Sequence, residues 1–128
     1  MGSAVLVDEK IKGGKALVEA LDQMGFLVRS AFWLYSSEDD SWRLVIASPL
    51  VGELGQLECY GRVDAALLSL QEPPFALREI ALVKETEQLV EFLRTAINTG
   101  PTGTRAIRWT RNSVGGIYVD DALIYRSS

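Results

Sequence analysis

LVRSAFWLYSSEDDSWRLVIAS, residues 27–48, decides how the rest of the chain is read. Two apolar runs rich in aromatic and branched side chains flank a Ser-Ser-Glu-Asp-Asp-Ser turn, the pattern of a long β-hairpin. Alternate residues of a strand share a face, so Phe32 and Leu34 fall on one side and Trp33 and Tyr35 on the other. A hairpin that is apolar on both faces needs cover on both, which places it centrally in a sheet or between two layers. The acidic tip at 38–40 keeps the turn in water and discourages edge pairing.

Upstream, Ile11, Gly14, Val18 and Leu21 recur at helical spacing, and Leu17 and Met24 widen the stripe. They predict a helix over roughly 9–24, with Asp8 as N-cap and Gly25 at C′, followed by the apolar Phe26. Gly13-Gly14 weakens that helix by about 1 kcal/mol per glycine and predicts a start delayed to 14 or 15. The same glycines also suit a close approach of helix to sheet.

Downstream, Pro49 ends the second strand, and Leu57, Tyr60, Val63, Leu67 and Leu70 predict one face of a helix over roughly 53–70, stopped by Pro73-Pro74. LREIALVK, 77–84, reads as a third strand. ETEQLVEFLRTAIN, 85–98, is the clearest helix, with Leu89, Val90, Leu93 and Ile97 as its stripe, Thr86 as cap and Gly100-Pro101 as stop. Two strands at roughly 104–111 and 116–126 close the chain around Asn112-Ser113-Val114-Gly115. The order is α-ββ-α-β-α-ββ. It predicts one α+β domain over 1–128, with a five-stranded mixed or antiparallel sheet and about three helices mainly on one face.

At 128 residues, with 48% hydrophobic and 23% charged residues, the chain has the makings of a packed core that needs no metal or disulfide. The lone Cys59 cannot form an internal bridge, and no apolar run reaches the roughly 18 residues of a membrane span. The stretch MGSAVLVDEK has no basic region before an apolar core, so it does not read as a secretory signal. The expectation is a cytoplasmic protein without a membrane partner.

The absence of histidine excludes the most chemistry. Ser-His-Asp and Cys-His nucleophilic systems are gone, as are His-built zinc sites, and one cysteine makes neither a redox pair nor a structural zinc site. Gly13-Gly14-Lys15 fails the phosphate-loop pattern, because Glu9 stands where glycine is needed and Ala16 where Ser or Thr is needed. Asp39 and Asp40 sit in a turn, and the neighbours Asp120 and Asp121 point to opposite faces of a strand. Asp64 reads as a boundary acid facing an arginine, and Cys59 as a small core residue. No cofactor, metal ligand or catalytic residue is assigned.

RAIRWTRN, 105–112, remains as the candidate surface. The net charge of −4 is unevenly spread, because residues 101–128 hold four arginines against two aspartates. As a strand, this stretch sets Arg105, Ile107, Trp109 and Arg111 on one face and Arg108 on the other. Trp and Arg together suit a protein interface or the stacking and phosphate pairing of a nucleic acid. Alternatively, Ile107 and Trp109 face the core and Asp120-Asp121 neutralises Arg105 or Arg108 across the ladder. Trp33, Tyr35, Trp42 and Arg43 of the first hairpin offer a second surface, or the aromatics a two-sided core. The leading reading is a non-enzymatic binding or accessory domain that engages a protein partner, a second copy of itself included. The candidate binding residues are Arg105, Arg108, Trp109, Arg111, Trp33 and Tyr35. A polyanion or nucleic-acid binder is the alternative, and a histidine-free enzyme using carboxylates and Mg²⁺ is third.

Overall fold

Residues 27–48 form the hairpin. β1 (Ser30–Ser36) and β2 (Ser41–Ala47) pair antiparallel, with Phe32 opposite Val45 and Trp33 opposite Leu44. The computed structural model describes residues 5–73 and 75–128. Pro74 of the Pro73-Pro74 stop, and the first four residues of the stretch examined for a signal, lie outside them.

Along the described chain follow α1 (Asp8–Gln23), the hairpin, α2 (Leu50–Leu54), α3 (Gln56–Leu68), a 3₁₀ turn (Leu77–Glu79), β3 (Ile80–Val83), α4 (Gln88–Ala96), β4 (Ile107–Val114) and β5 (Ile117–Ser127). The sheet order is β3-β2-β1-β5-β4, so β1 is the central strand. The β2–β3 pair is parallel, which requires the crossover that α3 supplies; the other pairs are antiparallel. This is an α+β fold on a five-stranded mixed sheet.

The two-faced hairpin is covered on both sides. Trp33, Leu44, Ile46 and Leu123 pack under Leu17, Val18 and Leu21 of α1 and Val63 and Leu67 of α3. On the other face, Phe32, Val45 and Ile124 meet Val90 and Leu93 of α4. Three helices thus lie on one face and one on the other.

The local departures have local causes. α1 begins at Asp8, ahead of the glycine pair, and Asp8 lies in its first turn while Val7 is the N-cap. Its C-terminus matches expectation: Gly25 has φ +80°, Phe26 N–H donates to Leu21 C=O and Gly25 N–H donates to Asp22 C=O. The helix expected at 53–70 is divided at Gly55, whose φ of +87° no right-handed helix accepts. Of the strand expected at 77–84, only Ile80–Val83 pairs with β2. α4 is capped by the Glu87 side chain, which accepts from Gln88 N–H, and not by Thr86. The last hairpin turns at Gly115-Gly116, two residues beyond the expected centre, because both glycines adopt positive φ (57° and 84°) as a two-residue turn demands. Among the described residues no helix is long and apolar enough to cross a membrane.

Candidate functional site

β4 lies at the edge of the sheet and carries the arginine stretch. Ile107 and Trp109 are half-buried and pack against the α4 side of the core. Arg108 points to the opposite face. Its Nε and Nη2 donate to Asp121 Oδ1 and Oδ2 at 2.6 Å each, and its guanidinium lies 5.6 Å from the centre of the Trp42 ring. The Asp121 hydrogen bonds, more than the charge itself, raise the Arg108 pKa against the opposing effect of burial. Arg105 precedes the strand, exposed, with its N–H bonded to Tyr125 C=O. Arg111 is exposed and has φ +48°, so the strict alternation that sets it beside Trp109 breaks at Arg111 itself. Among the described residues neither Arg105 nor Arg111 has an ion-pair partner. The arginine stretch is therefore one neutralised guanidinium between two solvated ones.

The hairpin aromatics are placed differently. Trp33 is fully buried and donates from Nε1 to Tyr125 Oη at 2.9 Å. Tyr35 is buried, donates to Asp40 Oδ1 at 2.6 Å and packs 5.4 Å from Trp42. These side chains belong to the core and its rim, and the β4 stretch reaches them only through Arg108 over the Trp42 ring. Asp64 is half-buried and has no ion pair among the described residues. Cys59 is buried, and burial raises its thiol pKa; nearby Arg62 opposes the rise and Glu58 adds to it. Among the described residues no group of three or more Asp, Glu or Cys side chains is placed to hold a metal ion.

Among the described residues the most exposed large apolar side chain, Leu57, lies elsewhere. α3 buries Cys59, Val63, Ala66 and Leu67. Leu57, expected on that inner face, is 90% exposed, and Leu68 is 68% exposed. At 100° per residue, Leu57, Gly61, Ala65 and Leu68 follow one another along the opposite side of the helix. Leu57, Gly61 and Ala65 border a groove of about 540 Å³ that Met24, at the C-cap of α1, and Leu54 of α2 also line. Glu58 and Arg62, paired at 2.9 Å, flank it. The signal was present in the sequence: two apolar stripes on one helix, only one of which can face the sheet.

No family model, no curated protein and no solved structure matches the chain.

Proposed function

We propose that this chain is a non-enzymatic binding domain that docks a polypeptide on the outer face of α3. One observation carries the reading: Leu57 stands 90% exposed in a groove with Leu54 and Met24, and Leu68 stands 68% exposed farther along the same helix face. Isolated exposed leucines need no explanation, but one that shares a groove with apolar side chains of neighbouring elements suits an interface. Glu58 and Arg62 give it a polar rim. Polyanion binding has fewer groups to work with than the sequence offers, because Asp121 already occupies Arg108.

A photo-crosslinking residue at position 57, in the full chain and in cells, tests the reading. The expected result is a polypeptide adduct that disappears when Leu68→Asp is added, while the circular dichroism of the purified double variant stays native. No adduct at position 57 overturns it.

A further inference from the structure

Arg126, 1% exposed, is the only buried charged side chain among the described residues. We propose that it is the donor of a binding site for a small neutral primary amide, in the cleft between the C-terminal end of α1 and the loop that precedes β4. The site goes beyond the docking reading and shares no lining residue with the α3 groove.

The donor is an N–H that the fold leaves unspent. A guanidinium carries five N–H groups in a planar fork. Nε donates to Gly103 C=O at 2.9 Å. Nη1 donates to Asp22 Oδ1 at 3.0 Å and to Val28 C=O at 3.2 Å, and Nη2 to Asp22 Oδ2 at 2.7 Å. Among the described residues the second N–H of Nη2 has no acceptor. Nη1 and Nη2 meet Asp22 side by side, so that N–H lies on the Nε edge of the fork, toward the loop that carries Gly103. Pro101 and Thr102 of this loop, with Leu27 and Arg126 itself, line a cleft of about 310 Å³. A buried donor without an acceptor is costly, and a ligand oxygen in the cleft relieves that cost.

Charge selects the ligand. Asp22 also lines the cleft, its side chain is 40% exposed, and it neutralises Arg126. Each of its oxygens accepts one Arg126 bond and keeps a lone pair to spare. The helix end beside it is the negative pole of α1. An anion in the cleft therefore meets Asp22 and the helix pole, and a cation meets Arg126. A primary amide gives its carbonyl oxygen to Nη2 and an N–H to Asp22, with no charge to desolvate. Leu27, 46% exposed, and Pro101 offer apolar cover to the rest of the molecule. The volume is at the low end for ligand sites, which run from about 300 to 1,000 Å³, and suits about a single ring.

Titration of the full chain, followed by the backbone amide NMR signals of Gly25, Leu27 and Thr102, tests the site with three probes built on one ring. Benzamide is expected to shift these signals saturably, with a Kd on the order of 1 mM for so small a molecule. Benzoate, equal in size but charged, is expected to bind about tenfold more weakly or worse. N,N-dimethylbenzamide, which lacks the donor, is expected to weaken as well. Asp22→Asn keeps an oxygen for the guanidinium and removes its counter-charge, so the order of benzamide and benzoate reverses. Leu27→Ala, at an exposed position, keeps the fold and weakens benzamide by about fivefold. If Asp22→Asn lacks the native circular dichroism, the wild-type order of the probes together with Leu27→Ala decides. Shifts that do not saturate, or that fall away from these residues, overturn the proposal and leave Arg126 as a latch between α1 and the loop. So do equal affinities for benzamide and benzoate in the wild type, or a folded Asp22→Asn that still prefers benzamide.

Discussion

At Gly14, a single missing methyl group lets α1 lie against the sheet. A Cβ there would fall on Tyr125 Oη and 2.8 Å from Trp33 Nε1. Neither atom swings aside freely: Trp33 Nε1 donates to Tyr125 Oη, which donates to Ile11 C=O at 2.5 Å. Alanine gains about 1 kcal/mol in helix propensity. Overpacking a locked contact costs about 1–3 kcal/mol, so the clash wins. Gly14→Ala is expected to lower the urea midpoint; an unchanged or higher midpoint would show that the helix shifts without cost. The same contact sets an alkaline limit. Burial pushes the Tyr125 phenol from 10.0 up to about 12, against the opposing Trp33 and Lys15 hydrogen bonds. A raised folded pKa stabilises fully below the unfolded value. Stability therefore falls as pH rises from about 10 toward about 12, a loss readable by tryptophan fluorescence. Tyr125→Phe should remove that step while lowering stability at neutral pH by about 1–3 kcal/mol, because Trp33 N–H loses its acceptor.

Between elements, one ion pair ties α1 to the 3₁₀ turn that feeds β3. Lys10 Nζ meets Glu79 Oε1 at 2.6 Å, and Ala76 N–H donates to Glu79 Oε2 at 2.8 Å. Burial alone would raise the Glu79 pKa. The Lys10 hydrogen bond, the Ala76 amide and the charges of Lys10 and Arg78 outweigh it, and the carboxyl titrates below its ordinary 4.5. A lowered folded pKa gives stability that is present above 4.5 and lost as pH falls through the folded value. Thermal midpoints measured from pH 6 downward should decline more shallowly in Glu79→Gln than in the wild type; identical slopes would sink the linkage. This turn was illegible in LREIALVK, because only the pairing of Ile80–Val83 with β2 marks where the turn Leu77–Glu79 ends and the strand begins. In the last hairpin the sequence itself carries the turn. Gly115-Gly116 is the stronger turn signal, and the polar Asn112-Ser113 drew the centre too early. Gly115 also lies against the Phe92 ring of α4, so its missing side chain serves packing as well as φ.

Across the whole molecule, the acidic balance of −4 opposes a polyanion, and Asp121 removes Arg108 from the count of free cations. Fluorescence anisotropy with single-stranded DNA should show no saturable binding at about 0.15 M salt. Tight, salt-steep binding lost in Arg105→Ala with Arg111→Ala would restore the nucleic-acid reading. The arrangement of helices also settles which apolar stripe is free. With α1, α2 and α3 on one face and α4 on the other, α3 turns Val63 and Leu67 inward and leaves Leu57 and Leu68 without cover in the described chain.

The sequence by itself determined the element order and the central place of the first hairpin. It also determined the Gly25 terminus of α1 and the candidacy of Asp121 as neighbour of Arg108. These follow from periodicity, turn chemistry and cross-strand spacing, all of them short-range. Only the tertiary structure decided the rest. The bulge opposite Ala31 and Phe32 leaves Tyr125 as an extra residue in β5. Tyr125 and its neighbour Arg126 therefore both face α1, where Tyr125 receives Trp33 and buried Arg126 binds Asp22 at 2.7 Å. Alternation from Leu123 already turns Tyr125 toward α1, where its phenol meets Gly14, and the bulge adds Arg126 to the same face. The choice between the two stripes of α3 likewise depended on which side the sheet lay. A helix pattern records how many apolar faces exist, and only packing against a distant strand selects the one that is buried.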